Sequence, residues 1–137
     1  MRIRLLAALG WTILIAGLCW TPRAVVREVE EEAGFWLVPH FDKVVHLGMF
    51  AGFAFLWLAA ARRPRYGAVA LAGLAFAVAT ELGQLAPQVN RTADLDDAVF
   101  DLVGVALGSL AFRFATARRA RKRDAASAPV ATGAEAA

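Results

Sequence analysis

The sequence contains a single cysteine, Cys19, among its 137 residues. An intramolecular disulfide is therefore excluded, and the two histidines do not combine with the cysteine in a spacing typical of a zinc site. The chain also lacks a nucleophile motif, a metal-binding signature and a glycine-rich phosphate loop. We therefore predict neither a cofactor nor a metal, and the motifs alone do not decide whether the protein is an enzyme.

Basic residues are plentiful but do not form a nucleic-acid-binding surface. The 15 Lys and Arg outnumber the 12 Asp and Glu, which gives a formal net charge of +3. These basic residues interrupt apolar runs, and no basic stripe with interleaved aromatic residues occurs. We therefore exclude nucleic acid as a partner.

Hydrophobic residues make up 59% of the chain, above the roughly 45–50% of soluble domains. They are concentrated in four runs, which predict membrane helices at about 5–21, 44–61, 66–86 and 97–117. The first run has the basic start of a signal peptide but no small-residue cleavage site, so we expect an uncleaved anchor. The predicted fold is all-α. An integral membrane four-helix bundle occupies residues 1–117, and a basic, then disordered, cytoplasmic tail follows at 118–137.

The distribution of basic residues predicts the orientation of the bundle. Eleven of the 15 Lys and Arg lie in the N-terminus, the turn at 62–65 and the segment 113–123. Four helices place these three segments on one side, which the positive-inside rule assigns to the cytoplasm. Ten of the 12 acids fall on the other side. We expect a multi-pass protein of the cell membrane with both termini in the cytoplasm.

This topology brings polar residues of three predicted helices together at the outer face. The candidate site consists of Asp42, Lys43, His46, Glu81, Gln84, Arg91, Asp97 and Asp101. Ionisable groups near hydrocarbon are costly and therefore indicate function. The imidazole and the carboxylates suit acid/base chemistry or cation binding, and the guanidinium suits an anionic group such as a phosphate. The alternative is structural: the two Asp residues at helix starts are caps, and the others satisfy one another between helices.

Two pairs of glycines have the i, i+4 spacing of a small-residue ridge for close helix packing: Gly48 with Gly52, and Gly104 with Gly108. The second pair shares a helical face with the last two acids of the candidate site. That face is predicted to form an acidic pocket at Asp97 and Asp101 and, further along the helix, a packing seam at Gly104 and Gly108.

The acidic run at 28–32 lies between the first two apolar runs. We predict a short surface helix or a solvated loop, with cation binding as the alternative. The following segment, 34–41, is rich in aromatic residues and is predicted to lie at the membrane interface.

Three motifs in order resemble the VanZ-like family of small bacterial membrane proteins, over about residues 40–110. They are Asp42-Lys43-x-x-His46, Glu81-x-x-Gln84, and Arg91-x5-Asp97-x3-Asp101-x2-Gly104-x3-Gly108. The family more often has Asn at the position of Asp101. The resemblance implies a bacterial envelope protein of a family associated with low-level resistance to teicoplanin, whose biochemical activity is not established.

Two classes of function follow from these features. The first is a non-catalytic envelope protein whose outward-facing site binds an envelope lipid, a lipid-linked precursor, a glycopeptide antibiotic or a partner, with an accessory role in resistance. The second is a small membrane enzyme that acts on a lipid-linked envelope substrate by acid/base or metal-assisted chemistry. The absence of a nucleophile motif favours the binding class.

Overall fold

All the regular structure in the described part of the chain is helical. The computed structural model describes residues 2–33, 41–89 and 95–127. Within these ranges the helices are α1 (Arg2–Cys19), α2 (Arg23–Ala33), α3 (Phe41–Ala60), α4 (Tyr66–Gln84) and α5 (Leu95–Ser127). No strand occurs among these residues, so the predicted all-α class is confirmed.

Four of these helices (α1, α3, α4 and α5) are long and apolar enough to cross a membrane. Between 17% and 33% of each apolar stretch is buried inside the protein. Large side chains on the outer surface, such as Leu71 and Leu82, are 68% and 63% exposed. Such a surface suits hydrocarbon rather than water, and the predicted four-helix membrane fold is confirmed. The orientation of the termini remains a prediction.

Two segments outside the four predicted membrane helices are also helical. The acidic run forms the surface helix α2, one of the two predicted conformations. The prediction that the last helix ends at about residue 117 is corrected, because α5 continues through the basic cluster to Ser127. Residues 118–127 contain neither glycine nor proline, and Arg, Lys and Ala are strong helix formers. Residues 128–137, predicted to be disordered, lie outside the described residues.

Helix α3 is at the centre of the bundle. It packs most extensively against α5, and also against α1 and α4. Its buried Phe50 and Phe53 pack against Phe76 of α4, with ring centroids 5.6 Å and 5.5 Å away. Ile15 of α1 and Val105 of α5 complete this apolar cluster. The central position of α3 places its polar first turns among three other helices.

Glycines allow the backbones of α3 and α5 to approach closely. A Cβ at Gly104 would collide with the Leu47 carbonyl oxygen, and one at Gly108 would collide with the Ala51 carbonyl oxygen. The partner atoms are backbone, so they have little freedom to move aside. The predicted seam at Gly104 and Gly108 therefore lies in direct contact with α3.

The other predicted ridge is used differently. A Cβ at Gly52 would lie 2.7–2.9 Å from indole atoms of Trp11, so this glycine accommodates an aromatic side chain of α1. Gly48 is exposed, and a Cβ there would meet no described heavy atom within 4 Å. The close packing expected at Gly48 is therefore not observed in the described part of the chain.

Two indole N–H groups attach α1 to α3. Trp11 Nε1 donates to the Met49 carbonyl oxygen at 2.9 Å, and Trp57 Nε1 donates to Thr12 Oγ1 at 3.1 Å. Buried indoles usually find such a partner, because an unmade hydrogen bond in an apolar interior is costly. These bonds fix α1 beside α3, the helix that carries Asp42, Lys43 and His46 of the candidate site.

Candidate functional site

Six buried polar side chains lie on α3, α4 and α5, each no more than 8% exposed. They are His46, Thr80, Glu81, Gln84, Asp97 and Asp101. Burying charged groups in an apolar bundle is expensive unless they are paired. The geometry of the cluster shows how part of that cost is offset.

The shortest polar contact of the cluster joins α3 to α5. His46 Nδ1 lies 2.9 Å from Asp101 Oδ1, one turn above the glycine seam, and the aspartate is fully buried. When the neutral imidazole donates from Nδ1, its Nε2 is left as a hydrogen-bond acceptor and base. That nitrogen lies 3.9 Å from Asp97 Oδ2. The ring is therefore held between two carboxylates of one helix.

Lys43 supplies positive charge to the same interface. Its side chain is 13% exposed, and Nζ lies 3.3 Å from Asp97 Oδ1 and 3.7 Å from Asp96 Oδ2. The ammonium also lies 5.8 Å from the centroid of the Phe100 ring, within cation–π range. Asp97 thus uses its carboxylate between helices, on Lys43 and His46 of α3.

Helix α4 contributes one polar face. Thr80, Glu81 and Gln84 are buried together at spacings that place them on one side of the helix. The Glu81 carboxylate is close enough to His46 to interact with it electrostatically. The Thr80 hydroxyl donates to the Ala77 carbonyl oxygen at 2.8 Å. The sequence reasoning missed Thr80, although its position four residues before Gln84 on the polar face was a usable signal.

The cluster includes buried polar atoms without a hydrogen-bond partner. Gln84 Nε2 and Asp101 Oδ2 have no hydrogen-bond partner among the described residues. One is a donor and the other an acceptor, so a polar molecule entering the cluster can satisfy both. An unsatisfied buried polar group costs about 1–3 kcal/mol.

The predicted site residues fall into four groups. Lys43, His46, Asp97 and Asp101 interact directly across the α3–α5 interface. Glu81 and Gln84 are buried on α4, which packs against both of these helices. Asp42 is exposed in the first turn of α3 and lines a separate apolar cavity. Arg91 lies outside the described residues.

Neither end of the bundle offers an obvious metal centre within the described ranges 2–33, 41–89 and 95–127. No group of three or more His, Cys, Asp or Glu side chains there is arranged to hold a metal ion. The described acids of α2, for which cation binding was the alternative prediction, form no such group either.

Four apolar helices around a buried His–carboxylate cluster define a small α-helical membrane protein with a polar site inside its bundle. The chain belongs to the VanZ/LLP1 family, whose sequence profile matches residues 7–116. The resemblance inferred from the three motifs is thus confirmed, and the match extends further toward the N-terminus, through α1 and α2. No curated protein and no solved structure matches the chain.

Proposed function

We propose that this VanZ-type membrane protein binds the polar head group of an envelope lipid in the cluster formed by α3, α4 and α5. The observation that carries the proposal is the pair of unsatisfied buried atoms, Gln84 Nε2 and Asp101 Oδ2. A head group that accepts from the amide and donates to the carboxylate relieves both unmet hydrogen bonds. Lipid surrounds the spans on every side, so such a ligand is locally abundant.

The charge of the cluster supports a particular kind of head group. Glu81, Asp97 and Asp101 are buried acids, and Lys43 places an ammonium group beside one of them, Asp97. An ammonium, an amino sugar or sugar hydroxyls can donate hydrogen bonds to these carboxylates, and a bare phosphate cannot. A contact between Arg91 and an anionic group of a lipid-linked precursor remains a prediction.

Binding is expected to depend on head-group donors. Purified protein in nanodiscs should retain phosphatidylethanolamine in preference to phosphatidic acid, as measured by native mass spectrometry. Gln84→Leu and Asp101→Asn each change one unsatisfied atom and should weaken this preference about tenfold, which corresponds to about 1.4 kcal/mol. Asp96→Asn is the matched control, because that side chain is 74% exposed. Preferential retention of phosphatidic acid would overturn the proposal.

We place the cluster at the outer face of the cell membrane, and this placement can be tested by labelling. In a Cys19→Ala background, Gln88→Cys in the turn after α4 should react with a membrane-impermeant maleimide in intact cells. Arg63→Cys, in the turn between α3 and α4, should react only after permeabilisation, because basic segments are retained in the cytoplasm. Both positions are exposed, so accessibility to solvent does not differ between them. The reverse labelling pattern would reverse the assigned orientation.

A role in the cell envelope is part of the same proposal. Sequestering an outer-leaflet lipid changes which lipids a glycopeptide antibiotic can contact at the membrane surface. This change gives the accessory role in resistance a physical basis. If glycopeptide rather than lipid is retained in the nanodisc measurement, the ligand assignment is wrong although the site is not.

The alternative function, a membrane enzyme, is favoured by one observation. A carboxylate 2.9 Å from Nδ1 orients the His46 imidazole as in acid/base catalysis, with Nε2 as the base. Loss of a lipid-dependent phenotype in His46→Ala, with lipid retention unchanged, would favour this enzyme over the binding protein. Lipid extracts of null and overproducing cells that are identical by mass would contradict the enzyme.

A further inference from the structure

An open apolar cavity borders His46. It has a volume of about 330 Å³ and is lined by the end of α1, the valines of α2 and the first turns of α3. This volume falls at the lower end of the roughly 300–1,000 Å³ found for small-molecule sites. Its wall is almost entirely apolar, with Asp42, His46 and Thr21 as the polar exceptions among the described residues.

Helix α2 gives this cavity an amphipathic wall. Val25, Val26 and Val29 line the cavity, and none of the charged residues of α2 is among its described lining residues. Val25 and Val29 are 47% and 53% exposed, so the protein itself covers their apolar surface only in part. A short helix with one apolar and one strongly charged face is typical of the membrane interface.

Helix α2 is also attached to the loop beside the polar cluster. The Arg23 backbone N–H donates to the carbonyl oxygen of Val89 at 3.2 Å, and Val89 is buried. The N-terminal end of α2 is therefore fixed to the turn that follows α4. Residues of α2 and of the first turns of α3 line the same cavity.

His46 is common to the cavity and the polar cluster. Its ring nitrogens face Asp97 and Asp101, and the residue also forms part of the apolar wall. A molecule in this cavity that also reaches the polar cluster must be amphiphilic, with its polar part at His46 and its apolar part toward the valines of α2. Membrane lipid has this chemistry, and the largely uncovered surface of the four spans must be coated by it.

We propose that the cavity between α1, α2 and α3 holds the beginning of an acyl chain of the same lipid whose head group occupies the polar cluster. This inference rests on the proposed function, because it assigns the head group of one lipid to the polar cluster and its acyl chain to the adjoining cavity. It accounts for the apolar cavity, for the incompletely covered valines of α2 and for the position of His46 between the cavity and the polar cluster. The site then recognises the acyl chain and the head group of one lipid together.

The test is photocrosslinking of the full chain in nanodiscs that contain phosphatidylethanolamine with a diazirine in one acyl chain. Crosslinks should concentrate on Val25, Val29 and Met49, above the level at lipid-facing Leu71 of α4. Val45→Trp fills the cavity and should reduce the cavity crosslinks at least tenfold. Val44→Trp is the matched control, because Val44 is the adjacent residue, is 60% exposed and does not line the cavity.

The outcomes separate this inference from the proposed function. Cavity crosslinks no stronger than those at Leu71, or equal in Val45→Trp and Val44→Trp, would mean ordinary surrounding lipid and would overturn the acyl-chain site. Loss of the head-group preference with persistent cavity crosslinks would overturn the head-group site instead. If Val45→Trp does not fold by size-exclusion chromatography and circular dichroism, Val26→Trp fills the same cavity from α2 and decides the question.

Discussion

Gly108→Ala is expected to destabilise the bundle by about 3 kcal/mol, near the upper end of the usual cost of overpacking. The added methyl group would collide with the Ala51 carbonyl oxygen and lie 2.8–2.9 Å from its carbonyl carbon and Cα. These are backbone atoms of α3, so relief requires the two central helices to move apart. Such a movement would also separate His46 from Asp101. The measurement is the free energy of unfolding in bicelles.

Gly48→Ala is the matched control for that prediction. The substitution is the same and also lies within a helix, so it carries the same gain of up to about 1 kcal/mol in helix propensity. No described heavy atom lies within 4 Å of the new methyl group. We expect Gly48→Ala to be neutral or stabilising. Equal free energies of unfolding for the two variants would contradict close contact between α3 and α5.

Asp101→Ala is expected to lower the free energy of unfolding by about 3 kcal/mol, since removing one partner of a buried pair leaves the other uncompensated. Polar pairs between membrane helices average about 0.6 kcal/mol, because the unfolded chain in lipid finds other partners. The burial of Asp101, 0% exposed, and the approach of Asp97 to the same imidazole place this pair above that average.

Asp101→Asn separates stability from ligand binding. The Asn side-chain oxygen can still accept from His46 Nδ1, so we expect the free energy of unfolding to stay within about 1 kcal/mol of the native value. The unsatisfied acceptor is replaced by a donor, so head-group retention should fall while the fold persists. Asp96→Ala provides the surface comparison. A destabilisation by Asp101→Asn as large as that of Asp101→Ala would show that the charge itself holds the helices together.

Much of the helical bundle could be predicted from the sequence, because its membrane helices consist of long apolar runs. Pro22 and Pro64 mark two helix ends, and the topology alone brings His46, Glu81 and Asp97 to one side. The all-α class needed no tertiary information. The lengthening of α5 was missed because apolar periodicity stops at the basic cluster, although the helix propensity of the chain does not.

The details of the site needed the packing. Gly48 and Gly52 are equivalent in sequence, because they are the two members of one i, i+4 pair. Only the position of Trp11 shows that Gly52 is a packing contact. Asp97 at a helix start looks like a cap in sequence, and only the approach of Lys43 shows its interhelical use. The cavity beside His46 depends on where α2 lies, which spacing along the chain does not determine.

The close contact between α3 and α5 has a consequence for how a ligand is received. Lys43, His46, Asp97 and Asp101 sit on two helices whose backbones touch, so their mutual geometry is preorganised before anything binds. Gln84 sits on α4, which packs less extensively against this pair. The entropic cost of ordering the site therefore falls mainly on α4, and that helix is the wall expected to adjust as a ligand enters.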